Sequence, residues 1–280
     1  MKNKKSNAAL PTLGFIGAGN MAQAITQGVL DAELFEPKQI IASAPTNPNR
    51  AVFSAWGCRS TADNAEILRQ ADIVVIACKP QIFPQVAPQI AAGLRPGTLL
   101  VSIMAGLSLA QIAAAIAPAK ALLVRAMPNT PLAVGHGVTA LCAAPGVAEK
   151  DFERAMELFA AAGSILPLEE SQMDAFTAVA GSGPAYLFYL AEAMEKSALG
   201  LGLPPAACRA MVIETLMGAV ALLTQDEDAY GDPTECRRQV TSPGGCTAEA
   251  IRVFDEAKLP ETVAKALAAN VARSQALRGN

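Results

Sequence analysis

Apolar and polar positions follow one pattern over residues 1–168 and another over 169–280. In the first stretch, short, mainly apolar runs occur at Thr12–Ile16, Gln39–Ser43, Ile73–Cys78 (apolar throughout), Leu99–Ile103 and Leu122–Ala126. Such runs, lacking period-two alternation, predict strands buried on both faces, as in a parallel sheet. Helical spacing separates them at Met21–Leu30, at Asn49–Trp56 (closed by Gly57) and at Ser108–Ala117. Val138–Cys142 and Ile165–Leu168 continue the strand series, with a helix over Glu149–Ala162 between them. Strands alternating with helices at this spacing predict a doubly wound α/β sheet.

Beyond Leu168 the strand pattern stops. Asp174–Ala180, Pro184–Leu199, Pro204–Leu223 and Ala248–Ala257 all read as helices. Pro184 and Pro204 sit where a first helical turn tolerates proline. The two long helices are apolar on more than one face, as at Met211-Val212-Ile213 with Leu216-Met217 and Val220. A helix of that kind is central to its domain or buried against another subunit. A helical domain of about a hundred residues is small for the first, so subunit contact is expected. The division is 1–168 for the α/β domain and 169–280 for the helical one.

Composition narrows the classes of function. The chain has 280 residues, 52 % hydrophobic and 17 % charged, with a net charge of −3. That supports a large core and argues against nucleic acid as a partner. No cluster of basic residues exceeds the short Lys2–Lys5 run, and no long apolar stretch follows it, so a frayed N-terminus is expected rather than a signal peptide. Uninterrupted apolar runs such as Ile73–Cys78 are too short to span a bilayer, and no membrane partner is expected. Six cysteines, at 58, 78, 142, 208, 236 and 246, form no C-x-x-C pair, and His136 is the only histidine. No metal site is expected, and free thiols fit a reducing cytoplasm.

Two glycine-rich loops carry the candidate chemistry. Gly17-Ala18-Gly19-Asn20-Met21-Ala22 follows a strand and opens a helix, the setting of a dinucleotide loop. Gly17 permits the turn, Gly19 lets a pyrophosphate approach the backbone and Ala22 allows close helix–sheet packing. A structural tight turn is the other reading. Roughly 20 residues on, an NAD site would carry a carboxylate for the ribose hydroxyl. Here Ser43-Ala44-Pro45-Thr46-Asn47-Pro48-Asn49-Arg50 offers hydroxyls and one Arg, which favours the 2′-phosphate of NADP. A solvated helix position would equally explain Arg50. Lys79-Pro80 ends a buried strand at the edge where open sheets bind ligands, or simply stops the strand.

The second loop is Val240-Thr241-Ser242-Pro243-Gly244-Gly245-Cys246-Thr247, running into a helix. Its free N–H groups suit a small carboxylate. Conventional acids are scarce nearby, and a hydroxyl such as that of Thr247 orients a substrate that carries its own proton, as an imine does. On the residues alone, Ser242 and Thr247 read equally well as helix caps.

Five segments together resemble the pyrroline-5-carboxylate reductases: Gly14–Met21, Lys79-Pro80-Gln81, Arg125-Ala126-Met127-Pro128-Asn129-Thr130-Pro131, Asp174–Tyr186, and Gln239–Thr247. The resemblance implies a Rossmann-type N-terminal domain and an all-helical C-terminal dimerisation domain that interleaves with a partner subunit, making a homo-oligomer with the active site near the interface. It implies reduction of 1-pyrroline-5-carboxylate to L-proline with NADPH, NADH being possible. Ile16, Gly17, Ala18, Gly19, Asn20, Met21, Ser43, Ala44, Arg50, Asn64, Ala77, Cys78, Lys79, Pro80, Ile103, Met104, Ala105 and Asn129 become the cofactor candidates. Val240, Ser242, Gly244, Gly245, Cys246 and Thr247 become the substrate candidates, with Thr247 at the imine nitrogen. Cys246 departs from the family, which often has Thr or Ala there. A β-hydroxyacid dehydrogenase shares the two-domain plan, but it resembles its relatives in a catalytic Lys early in the inter-domain helix. The first lysine after Gly181 here is Lys196. A non-enzymatic NADPH-binding regulator would need the first loop but not the second.

Overall fold

A computed structural model describes residues 11–45, 47–224 and 231–278. The Lys2–Lys5 run, and the fraying expected of it, lie outside the described residues. Eight strands form one sheet: β1 (Leu13–Ile16), β2 (Ile40–Ser43), β3 (Arg59–Thr61), β4 (Ile73–Ile76), β5 (Leu99–Ser102), β6 (Leu122–Pro128), β7 (Gly137–Ala143) and β8 (Gly163–Pro167). Their order is β3-β2-β1-β4-β5-β6-β7-β8. All neighbours are parallel except β6 and β7, which pair antiparallel.

The continuous apolar runs have a direct cause. Alternate side chains of each central strand enter opposite cores. Leu13, Phe15, Ile73, Val75, Leu99 and Val101 face one core. Ile16, Val74, Ile76 and Leu100 face the other. Helices α1 (Asn20–Asp31), α2 (Asn47–Ala55) and α6 (Glu149–Ala160) cover the first face through Ile25, Phe53 and Phe159. Helices α3 (Asn64–Gln70), α4 (Phe83–Gly93) and α5 (Leu109–Ala115) cover the second through Ile67, Ile90 and Ile112. Strands and helices alternate as far as β6; a 3-10 turn, Thr130–Val134, then joins β6 to its antiparallel neighbour β7 before α6 and β8 resume the alternation.

Three elements here escape pattern reading. The β3 sequence is short and polar. Seven-residue α3 gives too little periodicity, although Asp63 caps it by accepting from the Ala65 N–H at 2.9 Å. Helix α4 contains Pro88, which reads as a breaker.

The later helices are α7 (Met173–Phe176), α8 (Gly183–Gly200), α9 (Pro205–Leu223), α10 (Pro233–Gln239), α11 (Cys246–Glu256) and α12 (Leu259–Arg278). A π-helical turn, Thr177–Gly181, follows α7. Helices α10 and α12 were not expected. The chain groups into two compact units, one running to Ser182 and rejoined by Asn270–Asn280, the other Gly183–Ala269. This differs from a division after residue 168. Met173 and Phe176 fill the second core of the sheet, which keeps α7 with the nucleotide-loop half.

The helical unit buries little of its own apolar surface. Phe188 is 68 % exposed, Tyr189 75 % and Met217 63 %. Among the described residues, one helix, Pro205–Leu223, is long and apolar enough to cross a membrane, with 11 % of it buried. Arg209 and Glu214 interrupt it, which is why no uninterrupted apolar run marked it.

Helix α1 packs tightly at Gly28, where a Cβ would lie 2.6 Å from the Ala162 Cβ. Gly28→Val is expected to lower stability by about 2–3 kcal/mol through overpacking. A urea midpoint equal to that of the wild type would refute this close contact.

Candidate active site

The candidate cofactor residues converge at the carboxyl ends of β1, β2, β4, β5 and β6. Strand order reverses between β1 and β4, so a crevice opens there, where open α/β sheets bind ligands. Gly17 leaves β1 at φ +107°. A Cβ on it would lie 2.7 Å from the carbonyl carbon and oxygen of Ala77 and 2.9 Å from the Cys78 nitrogen. Both the left-handed backbone and the contact with the end of β4 therefore exclude a side chain. The Gly17 N–H donates to the Ser43 carbonyl at 3.0 Å, tying the turn to β2.

Gly19 is the N-cap of α1 and provides no side-chain cap. Nothing lies within 4 Å of where its Cβ would be. The helix thus presents its first N–H groups to open space, as a pyrophosphate site requires. Ala18 and Ala22 are buried, whereas Asn20 is exposed and Met21 half-buried.

At the end of β2, Ser43 and Ala44 are buried. The Ser43 hydroxyl donates to Asn64 Oδ1 at 2.5 Å. Asn64 Nδ2 donates in turn to Gln89 Oε1 at 2.9 Å. Two cofactor candidates are thus joined to each other, and Gln89 on α4 completes the chain; no motif in the sequence marks it. Arg50 is half-buried in α2, and its Nε is buried with no hydrogen-bond partner among the described residues. A buried, unpartnered guanidinium nitrogen is costly unless an anion completes it.

Ala77, Cys78 and Pro80 are half-buried beyond β4, and Lys79 is exposed. The Cys78 sulfur lies 3.9 Å from the Met104 sulfur, linking this segment to Ile103–Ala105 after β5. Burial pushes the Cys78 thiol up to about 11, so it stays protonated and inert. Asn129 is buried and its amide is occupied: Nδ2 donates to the Ala180 carbonyl at 3.0 Å, and Oδ1 accepts from the Val138 N–H at 2.9 Å. It braces β7 and the π-helical turn. His136 is exposed in the connection between β6 and β7.

In the helical unit, the Val240–Thr247 loop joins α10 to α11. Gly244 has φ +70°, and the Gly245 N–H donates to the Ser242 carbonyl at 3.0 Å. A Cβ on Gly245 would lie 2.5 Å from the Ser242 hydroxyl. The N-cap of α11 is Gly245, with no side-chain cap. The capping role open to Ser242 and Thr247 is therefore not taken by either. Thr247 is exposed inside the first turn, and its hydroxyl has no partner among the described residues. Val240, Ser242, Gly244 and Cys246 are likewise exposed.

Comparisons with known proteins converge. Residues 170–277 match a family model described as pyrroline-5-carboxylate reductase dimerisation. Residues 12–106 match one described as NADP oxidoreductase, coenzyme F420-dependent. A pyrroline-5-carboxylate reductase of Vibrio alginolyticus is 37 % identical over 265 residues, covering 94 % of this chain and 96 % of that one. A solved pyrroline-5-carboxylate reductase from Coxiella burnetii superposes with a TM-score of 0.86 at 32 % identity, covering 96 % and 98 % of the two chains. The Plasmodium falciparum pyrroline carboxylate reductase with NADP bound gives the same TM-score at 28 % identity and the same coverage.

The two loop glycines separate folding from binding. Gly17→Ala is expected to weaken NADPH binding by at least about tenfold and to destabilise the fold, because strain and clash coincide. Gly19→Ala, whose Cβ enters open space, should melt like the wild type yet bind NADPH more weakly. Calorimetric titration and thermal melts check both; undiminished affinity in Gly19→Ala would remove the pyrophosphate from this turn.

Proposed function

The chain belongs to the pyrroline-5-carboxylate reductase family, and on that premise we propose how its residues share one reaction. The reaction is the NAD(P)H-dependent reduction of 1-pyrroline-5-carboxylate to L-proline, the last step of proline synthesis. The observation that carries the division of labour is the uncapped start of α11, with the free Thr247 hydroxyl one residue inside it.

The residues present fit a dinucleotide. The open face at Gly19 and the uncapped N-terminus of α1 accommodate a pyrophosphate, and the orphaned Arg50 Nε calls for an anion. When bound, the reduced nicotinamide supplies the hydride that goes to the imine carbon. Gly17, Gly19, Asn20 and Met21 would hold the pyrophosphate, and Ile16, Ala18, Ala44 and Asn64 would line the adenosine side. Ala77–Pro80 and Ile103–Ala105 shape the floor towards the nicotinamide. Asn129 contributes by bracing the surrounding backbone.

On the substrate side, the N–H groups at Gly245 and Cys246 receive the substrate carboxylate, aided by the Ser242 hydroxyl. Val240 offers apolar contact to the ring. The Thr247 oxygen would accept the N–H of the protonated ring nitrogen and so orient the imine. No protein acid is needed, because the imine enters with its proton. Lys196, the lysine the dehydrogenase alternative would require, is exposed and pairs with Glu192 at 2.5 Å, far from that role. A regulator that only binds nucleotide leaves the second loop without a purpose.

Arg50 makes NADPH the preferred donor, through a charge-assisted contact to the 2′-phosphate. The exposed apolar faces of α8 and α9 are covered by a second copy of the chain, giving a homo-oligomer. The six free thiols suit the cytoplasm.

Purified protein should consume NADPH when given pyrroline-5-carboxylate, followed by loss of NADPH absorbance; cofactor binding without turnover would end the enzyme reading. Thr247→Ala should cut turnover by more than about tenfold at unchanged NADPH affinity, one such bond being worth ~1.5–3 kcal/mol. Arg50→Ala should raise the KM for NADPH about tenfold or more and leave that for NADH alone, by the same magnitude. Equal loss with both donors would return Arg50 to a structural role.

A further inference from the structure

The last two turns of α12 do not stay with the helical unit. From Asn270 onward the chain groups with the nucleotide-binding unit. Three residues on one face of these turns make contacts with that unit. Asn270 Nδ2 donates to the Ser182 hydroxyl at 2.9 Å. The Ser274 hydroxyl donates to Asp174 Oδ1 at 2.8 Å, across 100 residues of sequence. Leu277 presses on Gly106, where a Cβ would lie 3.2 Å from its own Cβ. Positions 270, 274 and 277 follow the i, i+4, i+7 spacing of a single helical stripe.

The middle contact is unusual. A helical serine commonly turns its hydroxyl back to the carbonyl four residues earlier. Ser274 instead reaches a carboxylate that is only 4 % exposed, and is itself 8 % exposed. Leaving either of two buried polar groups unpaired is costly, so the bond holds the helix to this point. Its neighbours are informative. Ser182 closes the π-helical turn by donating its N–H to the Thr177 carbonyl at 2.8 Å, one residue before the chain leaves the unit. Gly106 ends the segment Ile103–Ala105, at φ +75°.

We propose that Ser274 is a positioning residue of the reductase: its bond to Asp174 seats the C-terminal turns of α12 so that they hold the 103–106 loop and pin Ser182. The departing and returning points of the chain, Ser182 and Asn270, are thereby bonded to each other, and the same clasp bears on the loop assigned to the nicotinamide side. The inference rests on the assignment of Ile103–Ala105 to the cofactor. Hydride transfer is sensitive to placement, a ~1 Å error costing about a hundredfold. A loosened clasp therefore acts on turnover before it acts on binding, which depends on Gly17–Met21 and Arg50.

The test compares full-length wild type, Ser274→Ala and Ser274→Thr. Ser274→Ala should lower kcat by about tenfold or more while the Kd for NADPH stays within about threefold. Amide hydrogen exchange should quicken in 103–108 and 177–182 and stay unchanged in β1 and β4. Ser274→Thr, which keeps the hydroxyl, should restore both readouts. Wild-type kcat together with wild-type exchange in Ser274→Ala would overturn the proposal. So would exchange quickened evenly across the sheet, which marks a structural bond only. If wild-type protein fails to turn over pyrroline-5-carboxylate, the substrate assignment falls, and exchange at 103–108 still decides whether the clasp exists.

Discussion

The nucleotide-binding half depends on one close approach. At Gly17 the chain turns out of β1 with its backbone against the Ala77 carbonyl, so near that any Cβ would sit 2.7 Å from it. The same residue donates to Ser43, so β2, β1 and β4 end at one level, joined through backbone. Because these contacts are made by main-chain atoms, their geometry does not drift with side-chain rotamers. The start of α1, the Ser43–Asn64–Gln89 chain and the Ala77–Pro80 segment are all arranged around that point. A glycine is required there for steric reasons before any ligand is considered, and the open face at Gly19 then gives the turn its use.

The two units solve their burial problem differently. The α/β unit owns two complete cores, one on each face of the sheet, and even holds the Arg125 guanidinium at 1 % exposure, 3.4 Å from Glu170. The helical unit leaves Leu187, Phe188, Tyr189 and Met217 in contact with water. Apolar surface of that extent stabilises a chain only when it is removed from solvent. Exposure of that kind fits a unit that associates, and the family model that matches it is described as a dimerisation domain.

Much of this was legible in the sequence, for identifiable reasons. Strands buried on both faces leave mainly apolar runs, so β1, β2, β4, β5 and β6 stood out. The glycine loops stood out because their chemistry is local. Elements whose cause is tertiary did not. Helix α4 tolerates Pro88 because its packing through Val86 and Ile90 outweighs the lost bond. Helix α12 has no apolar stripe to follow, and only the structure reveals that Ser274 and Leu277 belong to the other half. Asn129 sits in a motif with a family meaning, yet its amide groups are spent on Val138 and Ala180; a motif identifies a residue without saying whether it touches the ligand or braces the wall. The reverse holds at Gly245, where the structure removed an ambiguity: an uncapped helix start leaves Ser242 and Thr247 free, which the sequence alone could not separate from capping.

The chemistry assigned to the second loop also fits what the chain omits from it. Val240–Thr247 offers hydroxyls, a thiol and backbone, with no carboxylate, lysine or histidine. Among the residues proposed for the cofactor, the Cys78 thiol is pushed up to about 11 by burial and does not ionise near neutrality. Reduction of a ketone in such a setting would stall, since the developing alkoxide needs a proton from the protein. A cyclic imine accepts hydride as its iminium ion, and the charge that the protein must manage falls rather than rises as the bond forms. The anion-binding turn and single hydroxyl proposed for this loop would then suffice, and the pH dependence of the chemical step would pass from the protein to the substrate's own nitrogen.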